Sequence, residues 1–122
     1  MLKLYDLTDT ELEVMEFFWE EKEPQSFSKT MEYFNTQKKK EWKKQTVNTY
    51  LNHLTHAGLL KADKGPRARL YSAACTREDY QQQCARKLIE RSFDNSLAKF
   101  IAAFTGGEGL SEEEAEELKK LI

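Results

Sequence analysis

One turn constrains this chain more than any other feature. In LLKADKGPRARLYSA, two short extended runs flank Lys64-Gly65-Pro66-Arg67, and the Gly-Pro pair predicts a β-hairpin of about four residues per strand. Pro66 has no N–H to give a strand ladder and so belongs in the turn. The remaining periodic segments read as helices, so the hairpin has to pack on helices. The expected order is α-α-α-β-β followed by α-α-α, a mainly α (α+β) fold with a small hairpin wing.

The helix signals are local and specific. Thr8-Asp9-Thr10-Glu11 is a capping box with Leu7 and Leu12 at its staple positions, and Leu12, Met15, Phe18 and Trp19 follow at helical spacing. Pro24 lies at or just beyond the end of that helix. Ser26 is the expected N-cap of a second helix, with Phe27, Met31 and Phe34 on one face, which fades into the loop NTQKKKEW. A third helix begins near Lys43 or Lys44; Val47, Leu51 and Leu54 form its inward stripe, and Gly58 stands at the left-handed position after its end.

Beyond the hairpin, Thr76-Arg77-Glu78-Asp79 resembles a capping box with Asp in place of Glu, and leads into Tyr80, Cys84 and Leu88. Asp94 or Ser96 caps a shorter helix bearing Leu97, Phe100, Ile101 and Phe104. Gly106, Gly107 and Gly109 break the chain, and Ser111-Glu112-Glu113-Glu114 opens the last helix as a second capping box, with Leu110 and Ala115 at its staple positions. The expected organisation is a winged helix over residues 1–75 and a helical dimerisation region over 76–122.

Charge separates these parts. Residues 1–28 hold two basic and eight acidic side chains; residues 29–77 hold eleven basic and three acidic; residues 78–122 hold six and ten. A strongly basic middle inside a chain of net charge −2 marks a polyanion surface, against the plainer reading of a solvated lysine-rich loop.

Three helices and a hairpin make the winged variant of the helix-turn-helix, in which the third helix enters the major groove. With Val47, Leu51 and Leu54 inward, the outward set is Gln45, Thr46, Asn48, Thr49, Asn52 and His53, none of them acidic. Amides match adenine N6 and N7, and Thr offers a hydroxyl and a methyl group to bases or phosphates. Lys43 and Lys44 fall at the helix start, where phosphates are favoured. Arg67 and Arg69 in the hairpin are placed to grip the DNA backbone or enter the minor groove. Lys38, Lys39 and Lys40 lie in a loop and supply long-range attraction.

Catalysis has little to stand on. His53 and His56 are three residues apart, but Cys75 and Cys84 are nine apart with no Cys-x₂₋₄-Cys, so no zinc site is expected. Cys84 reads as a small core residue on an apolar stripe, and the glycines at 106, 107 and 109 precede a Glu-rich helix that repels phosphate. No cofactor is expected. No run approaches the roughly 18 apolar residues of a membrane span. The acidic N-terminal stretch shows no secretory signal, and two cysteines suit a reducing compartment, so the expected location is cytoplasmic.

LTDTELEVMEFFWE with its Trp19, the segment KKQTVNTYLNHLTHAGLL, the hairpin end RARLYSA, TREDY and the closing EEEAEELKKL together resemble the BlaI/MecI/CopY repressors over nearly the whole chain. That resemblance implies a winged helix that binds duplex DNA and C-terminal helices that interlock two copies on an inverted-repeat operator. In the penicillinase and methicillin-resistance branches it also implies a membrane sensor metalloprotease that triggers cleavage at an Asn-Phe bond in the penultimate helix. The aligned pair here is Ala103-Phe104, of which Phe104 matches and Ala103 does not. The paired Cys-x-Cys motifs of the copper branch are absent.

A homodimer is also expected from the residues themselves. Tyr80, Cys84, Leu88, Leu97, Phe100, Ile101, Phe104, Leu118 and Ile122 need burial that a second subunit provides, unless these helices fold back on the winged part. The rival to DNA recognition is a winged helix serving as a protein-interaction adaptor.

Overall fold

The computed structural model describes residues 7–122. Helix α1 spans Asp9–Glu20 and is closed at its start by the Thr8–Glu11 capping box: the Thr8 hydroxyl accepts the Glu11 N–H at 3.1 Å, and the Glu11 carboxylate accepts the Thr8 N–H at 3.0 Å. A short strand, β1, covers Gln25–Ser26, and α2 covers Phe27–Glu32 with Ser26 as its N-cap. A π-helical turn over Tyr33–Gln37 continues α2. Helix α3 spans Lys44–His56, and Gly58 follows it with a φ of 83°.

Strands β2 (Leu60–Lys64) and β3 (Arg69–Ala73) form the expected hairpin, pairing antiparallel from Leu60↔Ala73 to Lys64↔Arg69. The turn closes where the Gly65 N–H donates to the Ala68 carbonyl at 2.9 Å. A Cβ at Gly65 would lie 2.5 Å from that same oxygen, so this position excludes any side chain. The sheet nonetheless has three strands, in the order β1-β3-β2, with Gln25 opposite Tyr71 and Ser26 opposite Leu70. The strand β1 is two residues long, too short for any alternation of apolar and polar residues to announce it.

Val14, Met15, Phe17 and Phe18 of α1 pack with Phe34, with Val47, Leu51 and Leu54 of α3, and with Leu59, Leu60 and Tyr71 of the hairpin region. The inward stripe predicted for α3 is therefore the buried one. On α1 the buried set is broader than the predicted one. Leu12 and Trp19 stay half-exposed, while Val14 and Phe17 are enclosed because the π-helical turn and β3 cover a second flank. Phe17 meets Tyr33 and Phe34 at ring-centroid distances of 4.5 and 5.6 Å.

The chain divides into two compact units, one ending at Tyr80 and one running from Gln81 to Ile122. Helix α4 spans Arg77–Ser92, and Thr76 and Asp79 exchange cap hydrogen bonds at its start. Its first residues are bound to α1. The guanidinium of Arg77 bonds the Glu16 carboxylate and lies 5.5 Å from the centre of the Trp19 ring; Trp19 in turn donates to the Cys75 carbonyl at 3.0 Å and sits 5.5 Å from the Tyr80 ring. In the second unit, α5 spans Leu97–Phe104 with Ser96 as its N-cap, and α6 spans Glu112–Leu121 behind a Ser111–Glu114 capping box.

Candidate nucleic-acid interface

An α-helix turns about 100° per residue, so the inward stripe of α3 leaves Gln45, Asn48, Thr49 and Asn52 together on the far side. All four are exposed. Thr46 and His53 fall at the border of that stripe and are half-buried. The Thr49 hydroxyl donates to the Gln45 carbonyl at 2.9 Å, which leaves its oxygen free to accept a hydrogen bond. The stripe contains no charge of either sign. His53 differs from its neighbours because its Nδ1–H donates to the Glu11 carboxylate on α1.

The start of α3 is open. Lys43 takes the N-cap position without a side-chain hydrogen bond to the helix, and the first turn holds no acidic residue. Lys43 and Lys44 are exposed and form no ion pair among the described residues. The preceding loop is held by Asn35, whose side-chain amide donates to the Trp42 carbonyl at 2.8 Å and accepts the Trp42 N–H at 2.7 Å. Between these two residues Lys39 and Glu41 adopt left-handed backbone conformations, with φ of 54° and 58°. The clamp thus fixes a strained loop directly ahead of the helix. Within the loop, Lys38 and Lys39 point to solvent, whereas Lys40 lies 2.8 Å from the Glu13 carboxylate and 6.0 Å from the Trp42 ring centre. Lys40 is therefore partly neutralised, unlike its two neighbours.

On the hairpin, Arg67 and Arg69 are exposed and have no acidic partner among the described residues. The register adds two cations that the sequence pattern alone does not single out, Lys61 and Lys64 on β2. Lys64 stands directly across from Arg69. Like charges at opposed positions of a ladder repel, so this pair is unfavourable until an anion lies between or over it.

Among the described residues no group of three or more His, Cys, Asp or Glu side chains is placed to hold a metal ion. Cys75 and Cys84 are free thiols, and burial, with Asp79 nearby, pushes the Cys75 thiol above its ordinary pKa, opposite to the shift a nucleophile needs. Among the described residues no helix is long and apolar enough to cross a membrane.

Ala103 and Phe104 occupy the C-terminal end of α5 and are exposed. Of the residues expected to join two copies, Leu88, Leu97, Phe104, Leu118 and Ile122 are exposed and Cys84, Phe100 and Ile101 are half-buried. Tyr80 packs against Trp19 within the first unit.

Three helices, a hairpin wing paired to a short third strand, and an uncovered third helix define a winged helix-turn-helix protein. The sequence profile of the penicillinase repressor family matches residues 7–122, and the chain belongs to that family. It is 26% identical over 122 residues to the penicillinase repressor of Bacillus licheniformis, covering all of this chain and 93% of that one. It is 24% identical over 120 residues to the methicillin resistance regulatory protein MecI of Staphylococcus aureus, covering 98% and 95%. Among solved structures, the monomeric form of Bacillus licheniformis BlaI in complex with the blaP half-operator matches 66% of this chain and 94% of that one at 28% identity, with a TM-score of 0.53. The Helicobacter pylori ferric uptake regulator Fur shares the fold over 64% of this chain and 68% of its own, with a TM-score of 0.51 at 16% identity.

Proposed function

We propose that this protein is a transcriptional repressor that binds duplex DNA as a homodimer on an inverted-repeat operator. The observation that carries the reading is the exposed, uncharged stripe Gln45, Asn48, Thr49 and Asn52 on α3, bracketed by cations that have no acidic partner among the described residues. In this reading the amides and hydroxyl meet base edges in the major groove, with Thr46 and His53 at the stripe's border. Lys43 and Lys44 meet phosphates beside the helix start, and Arg67 and Arg69 hold the flanking backbone from the wing. The repulsion between Lys64 and Arg69 is relieved by that phosphate contact. The structure of BlaI with its half-operator supports this assignment through a shared fold and family.

The second copy supplies what the C-terminal helices lack. Leu97, Phe104 and Ile122 are 63%, 69% and 94% exposed in the single chain, an apolar surface that a partner subunit covers. Two linked heads then read two half-sites and gain affinity through avidity. By analogy with the family, relief of repression comes from a membrane sensor metalloprotease, with Ala103-Phe104 as the bond at risk.

The test is selection of bound sequences from a random duplex pool, followed by titration across salt. Enrichment of a palindromic site, with affinity falling on the order of a thousandfold between about 50 and 200 mM salt, supports the reading. A flat salt response without enrichment refutes it in favour of a protein-interaction adaptor.

A further inference from the structure

Glu11 is the one charged residue buried among those described, at 5% exposure. One of its oxygens accepts the Thr8 N–H and completes the cap of α1; the other accepts the Nδ1–H of His53 on α3. Capping does not require that burial. In the equivalent box on α6, Glu114 caps Ser111 while exposed to solvent and, among the described residues, with no further partner. Nor does packing require a carboxylate. Position 11 is in phase with Met15 and Phe18, where an apolar side chain would bury at less cost.

What the carboxylate adds is direction. The core between α1 and α3 draws on Val14, Met15 and Phe18 against Val47, Leu51 and Leu54, and apolar contacts tolerate a roll of one helix on the other. A hydrogen bond does not. His53 follows Asn52 directly and stands one turn beyond Thr49, at the border of the exposed stripe. Fixing its ring fixes which way that stripe faces.

We propose that Glu11 is a positioning residue for α3: through His53 it sets the rotation of the helix about its axis, and with it the side chains that reach a duplex. The inference rests on the DNA-binding reading and assigns a residue outside the contact surface to its specificity.

The test compares Glu11→Leu, which cuts both ties, with Glu11→Gln, whose amide oxygen accepts the Thr8 N–H and whose amide N–H donates to the His53 Nδ1 once the ring takes its other tautomer. In Glu11→Leu the ratio of affinity for the selected duplex to that for random duplex falls on the order of tenfold, with the salt slope unchanged. In Glu11→Gln the ratio returns to within about twofold of the parent. Should Glu11→Leu fail to fold, Glu11→Ala cuts the same two ties without adding bulk to the core and carries the same expectation. A lowered melting temperature with an unchanged ratio overturns the proposal, as does a Glu11→Gln protein that loses as much as Glu11→Leu.

Residual dipolar couplings of the α3 amides in the free protein read the rotation without DNA. They shift in Glu11→Leu and return in Glu11→Gln, and unchanged couplings overturn the proposal. A parent protein that prefers no duplex sinks the DNA-binding reading alone, because the couplings still decide whether Glu11 orients the helix.

Discussion

The two units use similar residues to opposite ends. Up to Tyr80, helices and hairpin enclose Met15, Phe34, Leu51, Leu54 and Leu59 completely, with no exposed surface on any of them. From Gln81 onward no residue of α4, α5 or α6 is buried, although Phe93 meets Phe100 edge to face at 5.4 Å and Phe100 stacks on Phe104 at 5.8 Å. In the proposed homodimer that apolar surface is the one a second copy covers. The first unit keeps its apolar residues inward and sets a neutral polar stripe outward beside the exposed cations Lys43, Lys44, Arg67 and Arg69. The second shows apolar residues outward and acidic ones beside them.

Substitutions test that contrast from the largest expected effect downward. Leu51→Ala removes a wholly buried side chain of α3 and is expected to cost about 2–5 kcal/mol of unfolding free energy, read from a denaturant midpoint. Phe104→Ala, at a position 69% exposed, is expected to leave the unfolding of the first unit unchanged and to raise the dimer dissociation constant on the order of tenfold or more, read by sedimentation equilibrium. Comparable losses of first-unit stability from both would erase the distinction between the units.

Asn48→Ala is expected to cost about 1–3 kcal/mol on the selected site, to relax preference at one base pair and to spare random DNA. Equal loss on both duplexes would remove Asn48 from base readout. Lys44→Ala is the smallest of these, a reduction of the salt slope by about one that is shared by every sequence.

Acid reaches the first unit through Glu11. Burial pushes its carboxyl up, but the hydrogen bonds from the Thr8 N–H and from His53 outweigh that, so its pKa lies below the ordinary 4.5. The stabilisation from the ionised carboxylate is therefore complete above about pH 4.5 and drains away as pH falls through the lower, folded value. Urea midpoints of the parent and Glu11→Gln should differ at neutral pH and converge in acid. A constant difference would mean that the charge of Glu11 contributes nothing.

Much of the fold was legible because its signals are local. Thr8 with Glu11, Ser26, Gly58, the Gly65-Pro66 turn and Ser111 with Glu114 each declare an element boundary within four residues. The inward stripe of α3 and its neutral outer face follow from the same short periodicity. What stayed hidden depends on residues far apart in the chain. Strand β1 exists because β3, some 45 residues later, pairs with it. The Asn35 clamp on Trp42 and the neutralised Lys40 need the loop's backbone to be known. Glu11 left one unread clue: it shares the buried spacing of Val14, Met15 and Phe18, an odd place for a carboxylate unless something across the core needs it.

The most direct test follows backbone amide shifts by NMR as the selected duplex is added to the intact protein. The account predicts the strongest changes across Lys43–His53 and in the wing around Arg67 and Arg69, with smaller ones from α4 onward. Changes concentrated in α5 and α6 while Gln45, Asn48 and Asn52 stay still would contradict it.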